Sequence, residues 1–259
     1  MSYANIVVES GPDDTVIITL NRPDNRNALS SSMIAELHEA LESTAGSDAR
    51  GIILAANGPV FSSGHDLREM AGHDETGMLT LFERCEAMML ALGRIPKVVV
   101  ASVAGLATAA GCQLVASCDL VVASSEASFQ TPGGRGGLFC HTPMVAVARD
   151  IGRKRAAEMA LTGEPIDART AAEWGLVNRV VDPDQLAKES HELLLQATRG
   201  SRFGTGVGKQ TLYEQLDLGL ADAYHHTTPI MAHHAVTGDG WEGVRSFVEK
   251  RRPDWSHKG

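Results

Sequence analysis

Two stretches of this chain carry backbone chemistry rather than side-chain chemistry. Phe61-Ser-Ser-Gly-His-Asp-Leu-Arg-Glu-Met70 follows a continuous apolar run and opens a helical pattern. Its small residues and Gly64 allow close approach of the backbone, and the amide of His65 falls where the chain turns. Ala104-Gly-Leu-Ala-Thr-Ala-Ala-Gly-Cys-Gln113 has the same order, an apolar run, a small-residue turn and then a helix. The amide of Ala110 lies at that helix start, where unpaired donors and the helix dipole favour negative charge. Two such amides, if they converge, form an oxyanion hole that holds the negative charge developing on a carbonyl oxygen. From spacing alone the same residues also fit two ordinary strand-to-helix turns.

Other apparent motifs do not hold. Gly204-Thr-Gly-Val-Gly-Lys-Gln-Thr211 has Phe203 where a phosphate-binding loop needs its first glycine, and Gln210 where it needs Ser or Thr after the lysine. His225, His226, His233 and His234 form two pairs about two turns apart on a helical segment, with few carboxylates nearby, so they read as a solvated or interface face and no metal is expected. No G-x-S-x-G sequence is present. The four cysteines, Cys85, Cys112, Cys118 and Cys140, form no C-x-x-C pair and read as reduced thiols.

The elements that must position the two turns follow from periodicity. Residues 6–9 and 16–20 are β-branched runs joined by Ser10-Gly-Pro-Asp-Asp14, which predicts a hairpin. Ser30 or Ser31 caps a helix through Thr44 with Met33, Leu37, Ala40, Leu41 and Thr44 on one face. Residues 51–55, 98–103 and 120–123 read as buried strands. Residues 57–66 read as a loop, with helical patterns following to Gly93, and residues 112–117 as a short helix. Residues 133–137 (GGRGG) read as a loop. Helices are predicted over 144–151, 153–161, 168–174 and 185–199, with one long helical segment over 213–237. Strands alternating with helices imply βαβ units and an α/β fold. The organisation expected is a core over residues 1–195 and a helical region over 196–259.

The chain has 259 residues, is 43% hydrophobic and carries a net charge of −9, which excludes global disorder and argues against a general nucleic-acid or anionic-membrane binder. No apolar run has the length of a membrane span. The beginning of the chain has no basic, apolar or Arg/Ser-rich leader, so a cytoplasmic location is expected.

Asn21-Arg-Pro…Asn27-Ala-Leu29, Phe61-Ser-Ser-Gly-His-Asp-Leu67, Val103-Ala-Gly105…Gly111-Cys-Gln-Leu114, Cys118-Asp119, Leu161-Thr-Gly163, Ala172-x-x-Trp-Gly-Leu-Val177 and Phe247-Val-Glu-Lys-Arg-Arg-Pro253 occur in order over nearly the whole chain. This pattern resembles the crotonase, or enoyl-CoA hydratase/isomerase, superfamily. Ala109-Ala-Gly-Cys-Gln-Leu-Val-Ala-Ser-Cys-Asp119 and Gly137-Leu-Phe-Cys140 resemble its subgroup typified by enoyl-CoA hydratase domain-containing protein 3.

The resemblance implies a crotonase-like spiral of ββα turns with a C-terminal helical trimerisation region, assembled as a trimer or a hexamer. It implies an acyl-CoA ligand whose thioester carbonyl accepts hydrogen bonds from the amides of His65 and Ala110. The adenine and pantetheine would lie along Arg26, Ala28, Ser63, Asp66, Leu67 and Arg68, with Lys250 near the phosphates. Coenzyme A would enter as part of the substrate, and no separate cofactor is expected.

The sequence departs from that pattern where the reaction needs an acid and a base. Hydratase members place one glutamate where this chain has Gln113, and another, after a proline, where it has Gly133. Neither side chain titrates. Gln113 retains the ability to orient a water. His141, eight residues beyond Gly133, is the position where dienoyl isomerases carry a carboxylate, and it is a candidate proton shuttle. Asp66 reads as a helix cap. The functions left open are a nominal enoyl-CoA hydratase or isomerase, a non-catalytic acyl-CoA binder, and a thioester hydrolase or decarboxylase on the same scaffold.

Overall fold

The computed structural model describes residues 3–259. The chain starts with the expected antiparallel hairpin, β1 (Ile6–Ser10) and β2 (Val16–Leu20). Next comes α1 (Ser31–Ala45), whose first turn is capped by the Ser30 hydroxyl accepting the Met33 amide at 3.3 Å. A cap of this kind stabilises a helix by about 1 kcal/mol. The buried face of α1 is Met33, Ile34, Leu37, Ala40, Leu41 and Thr44, spaced as a 3.6-residue period demands.

The centre of the molecule is built from a repeated unit. A long apolar strand is followed by a tight turn, a three-residue strand and then helix. The first unit is β3 (Gly51–Ala56), β4 (Val60–Ser62), α2 (Leu67–Met70) and α3 (Glu75–Arg94). The second is β5 (Val98–Val103), β6 (Leu106–Thr108) and α4 (Ala110–Ala116). The third is β7 (Leu120–Ser124), β8 (Ser128–Gln130), α5 (Pro143–Ile151) and α6 (Arg153–Thr162). The short strand β9 (Ile166–Asp167), α7 (Ala168–Trp174) and β10 (Arg179–Val181) close the core.

The long strands form one sheet in the order β1-β2-β3-β5-β7-β10, parallel from β2 onward. The short strands form a second sheet, β4-β6-β8-β9. These are the expected ββα turns. The sequence reading missed the short strands: residues 57–66 and 106–108 looked like loop because three residues are too few to show a period of two. Pairing across the second sheet makes them strands.

Four helices finish the chain: α8 (Leu186–Ala197), α9 (Arg202–Leu216), α10 (Leu220–Ala235) and α11 (Gly238–Val248). The single helical segment expected over 213–237 is in fact two helices separated by Asp217, Leu218 and Gly219. Its beginning also lies earlier. The glycine-rich stretch 204–208 is the first half of α9, where Gly206 allows close packing: a Cβ there would stand 2.8 Å from the Cβ of Pro96. Lys209, which mimicked a phosphate-loop lysine, is buried. Its ammonium pairs with Asp119 at 2.8 Å and donates to the carbonyls of Leu92 and Lys97 at 2.6 Å each. The Tyr213 hydroxyl donates to the other Asp119 oxygen at 2.8 Å. Among the described residues no helix is long and apolar enough to cross a membrane, and no group of three or more His, Cys, Asp or Glu is placed to hold a metal ion.

Candidate active site

The repeat brings the two turns together. β4 and β6 are neighbours in the small sheet, so the turns after them emerge side by side. Gly64 has φ +83, and a Cβ at that position would stand 3.1 Å from the Ala110 nitrogen, 3.0 Å from the Ala109 Cβ and 3.1 Å from the Thr108 carbonyl oxygen. Only glycine fits there, for both its backbone angle and the space.

The His65 amide is left free by the way its segment pairs. Leu29 and His65 form a parallel bridge. Leu29 donates to the Gly64 carbonyl at 2.8 Å and accepts from the Asp66 amide at 3.3 Å. In a parallel bridge those two bonds straddle the opposite residue, so the N–H and C=O of His65 point away from Leu29. The Ala110 amide is free for a different reason: it is the first residue of α4, and the first intrahelical bond is made by Gln113 to the Ala109 carbonyl at 3.1 Å. Ala109 sits at φ +51 and ψ −119, a conformation costly for a residue with a Cβ. Backbone strain of about 1–3 kcal/mol is held where the surrounding structure over-determines it, commonly at ligand sites.

The residues expected around a bound nucleotide fall into two groups. Arg26, Ala28, Ser63, Asp66, Leu67 and Arg68 lie together along the Leu29–His65 bridge, with the Ser63 amide donating to the Arg26 carbonyl at 3.0 Å. Arg26 is exposed with φ +52, Ala28 is buried, and Leu67 and Arg68 are exposed at the start of α2. Asp66 is the helix cap, accepting from the Arg68 amide at 3.2 Å, and it also pairs with Arg22 at 3.5 Å. Lys250 stands apart from this group in its bonding. It is exposed just after α11, and its amide donates to Phe247.

The acid–base candidates Gln113, Gly133 and His141 lie in different surroundings. Gln113 lies on α4 one turn from Ala110, only 6% exposed, and its side-chain oxygen is buried with no hydrogen-bond partner among the described residues. A buried amide with an open acceptor is a ready partner for a water or a ligand donor. Gly133 does not face an empty slot. A Cβ there would stand 2.1 Å from the Leu138 carbonyl oxygen and 2.7 Å from the Cys140 sulfur. The Gly133 amide donates to that sulfur at 3.3 Å, and its carbonyl accepts from the Leu138 amide at 3.0 Å. The loop at 133–137 is a short 3-10 turn folded against residues 138–140. His141 is exposed beside Phe139, with ring centroids 5.1 Å apart. It is not enclosed as a proton shuttle would be.

Sequence reasoning missed the His65 side chain and the pair Asn27 and Ser62. The His65 imidazole packs edge-on against Phe82, with ring centroids 5.3 Å apart, and both ring nitrogens are buried. Burial pushes its pKa below the ordinary value, against the opposing pulls of the Leu29 carbonyl and Glu69. Asn27 and Ser62 are 0% exposed and carry bonds described below. No periodicity marks them, although both lie within motifs that carry the family resemblance.

A family model described as enoyl-CoA hydratase/isomerase matches residues 12–258. The chain belongs to the enoyl-CoA hydratase/isomerase, or crotonase, family. The rat protein named enoyl-CoA hydratase domain-containing protein 3, mitochondrial, is 46% identical over 242 residues, covering 93% of this chain and 81% of the relative. The crystal structure of an enoyl-CoA hydratase from Mycobacterium smegmatis superposes with a TM-score of 0.94 at 42% identity, covering 97% of this chain and 99% of that one. Human enoyl-CoA hydratase domain-containing protein 3 superposes with a TM-score of 0.93 at 42% identity, over 97% and 100% of the two chains. The subgroup motifs around Ala109 and Gly137 thus have their counterpart in overall similarity, and the mixed α/β crotonase fold is established.

Proposed function

We propose that this crotonase-family chain binds the thioester of an acyl-CoA, with the amides of His65 and Ala110 donating to the thioester carbonyl, and that it hydrates enoyl thioesters poorly. The observation that carries the reading is the contact of Gly64 with the Ala110 nitrogen, where a Cβ would stand 3.1 Å away. That contact supports the reading because the residue before the first proposed donor packs on the second, in a family whose named relatives include enoyl-CoA hydratases.

Polarising a thioester carbonyl needs only those donors. Hydration needs in addition a base for the water and an acid for C2, each worth about 10²–10⁴ in rate. Gln113 can orient a water but cannot take its proton. At the second family position, the Leu138 carbonyl and the Cys140 thiol stand where a side chain on residue 133 would begin. This favours a second reading, a thioester chemistry that needs the oxyanion hole without a paired acid and base, or binding alone. The nucleotide would lie along Arg26, Ala28 and the 63–68 segment, where Arg26 and Arg68 are exposed cations on a chain that is acidic overall. Lys250 would join them near the phosphates, supplied by a neighbouring copy.

Assembly as a trimer or hexamer is part of the proposal. Leu212, Leu216, Leu220, Met231 and Phe247 are exposed on the last three helices, Leu220 at 78% and Phe247 at 85%. Apolar side chains left exposed on these helices are what an interface between copies would cover. Light scattering at micromolar concentration should report three or six copies, and a monomer would overturn this part. On compartment, the vertebrate relatives are named mitochondrial, which stands against the cytoplasmic expectation.

Calorimetry with crotonyl-CoA, alongside an absorbance assay of its hydration, tests the main reading. Binding with turnover far below the ordinary value of about 10 s⁻¹ is the expected result. Absence of binding at millimolar concentration would overturn it, and ordinary turnover would show that another group supplies the acid and base.

A further inference from the structure

We infer that Asn27 and Ser62 are positioning residues that set the spacing between the two oxyanion donors; this rests on the acyl-CoA reading above. Neither side chain reaches the ligand position from a free donor. Both are fully buried and fully used in ties between the backbone segments that build the turns.

Asn27 accepts the Arg22 amide at 2.8 Å and donates to the carbonyls of Asn57 at 2.9 Å and Val60 at 2.8 Å. Its own backbone is held at φ +50. One side chain thereby ties the 22–29 loop to both ends of the turn leading into β4. The Ser62 hydroxyl continues the chain of bonds. It donates to the Asn27 carbonyl at 2.8 Å and accepts from the Gly64 amide at 3.3 Å. Gly64 in turn abuts Ala110, and the next residue is the first donor.

A second contact closes the loop from the other side. A Cβ on Gly111 would stand 2.4 Å from the Ser62 carbonyl oxygen and 2.7 Å from its Cβ. The residue after the second donor therefore rests directly on Ser62. Ser62 touches both turns: Gly64 by a hydrogen bond and Gly111 by packing. Close-packed interiors transmit displacements of this kind rather than absorb them, and a misplacement of about 1 Å at a reacting group costs on the order of 100-fold.

The test separates carbonyl recognition from general CoA binding. Two ligands are compared: an enoyl-CoA with a chromophore conjugated to its thioester, and the S-alkyl thioether of CoA with the same chain, which lacks the carbonyl. Wild type should favour the thioester by about tenfold or more, and should red-shift its absorption, because amide donors pull charge onto the carbonyl oxygen. Ser62→Ala should keep thioether affinity within about twofold, lose roughly tenfold in thioester preference and lose most of the red shift. Ser62→Thr, which keeps the hydroxyl, should retain more of the shift than Ser62→Ala. A residue that only supported the fold would lower the affinity of both ligands together. Ser62→Cys fills the same space while weakening both hydrogen bonds and serves if Ser62→Ala does not fold; it should reduce the thioester preference too. Full preference and full red shift in either folded variant would overturn the positioning role. No thioester preference in wild type would instead overturn the oxyanion reading and this inference with it.

Discussion

The turn at 108–113 and the loop at 131–141 occupy equivalent places in successive repeats, each following a short strand of the small sheet, yet they end in opposite conditions. In the first, backbone packs on backbone through Gly64 and Gly111, and among the described residues the amides of His65 and Ala110 and the Gln113 side-chain oxygen have no partner. In the second, the glycine is enclosed by its own loop, with the Leu138 carbonyl and the Cys140 thiol in the space a side chain would need. Binding a carbonyl and moving protons are thus separable properties of this fold. The first depends on backbone geometry, which survives exchange of most side chains. The second depends on two particular side chains and the room to hold them.

Restoring the family residue at the closed position should have the largest effect. Gly133→Glu must displace the Leu138 carbonyl by more than an ångström, so stability should fall by about 3 kcal/mol or more, as for severe overpacking. Combined with Gln113→Glu it should give no gain in hydration, even though φ at Gly133 is not positive. A double variant that melts near wild type and hydrates crotonyl-CoA would break the comparison, because the loop would then be free to open.

Next in size, Ala110→Pro removes one donor at the first position of α4. Thioester affinity should fall on the order of 100-fold, with affinity for CoA itself nearly unchanged by calorimetry. Equal loss for both would mean that the turn, and not the amide, was damaged.

Gln113→Glu by itself sharpens the contrast through pH. Burial raises a carboxyl pKa, and the unfolded chain ionises near 4.3. The folded protein would then bind more protons than the unfolded one above that pH, so stability relative to wild type should decline as pH rises past about 4 and level off at roughly 1–2 kcal/mol. Thermal melts across pH 4–8 measure this. A pH-independent difference would mean that the carboxyl reaches water.

The thiols give a smaller signal. Burial pushes Cys85 and Cys112 up to about 12, and it raises Cys140 too, against the Gly133 amide that donates to its sulfur. Native protein at pH 8 should alkylate slowly at all three, and rapid labelling of Cys140 would show that the loop opens. The smallest effect belongs to His65→Ala. Its donor is backbone, so thioester affinity should stay within about threefold, while loss of the packing on Phe82 costs about 1 kcal/mol or more in stability.

Local pattern alone was enough for the hairpin, for α1 with its Ser30 cap, for the three long strands, and for Asp66 as a cap, because each reports burial or a hydrogen bond within a few residues of itself. The order of motifs was enough for the family, since a repeated ββα unit writes the same spacing several times. What sequence spacing could not reach were contacts between residues far apart in the chain. It placed His65 and Ala110 each at a turn, but only the pairing of β4 with β6 makes those turns neighbours. It showed a glycine at 133, but only the fold of residues 138–140 shows that nothing larger fits. It showed that 204–211 fails as a phosphate loop, but only the structure shows it as helix, with Gly206 packed on Pro96 and Lys209 buried against Asp119. Asn27 and Ser62 are the clearest case: two small polar residues with no period to mark them, whose partners lie up to 35 residues away. The physical reason is common to all of these. A sequence pattern records the average burial of a residue, whereas the spacing of two donors is a distance, and distances between remote segments exist only once the chain has folded.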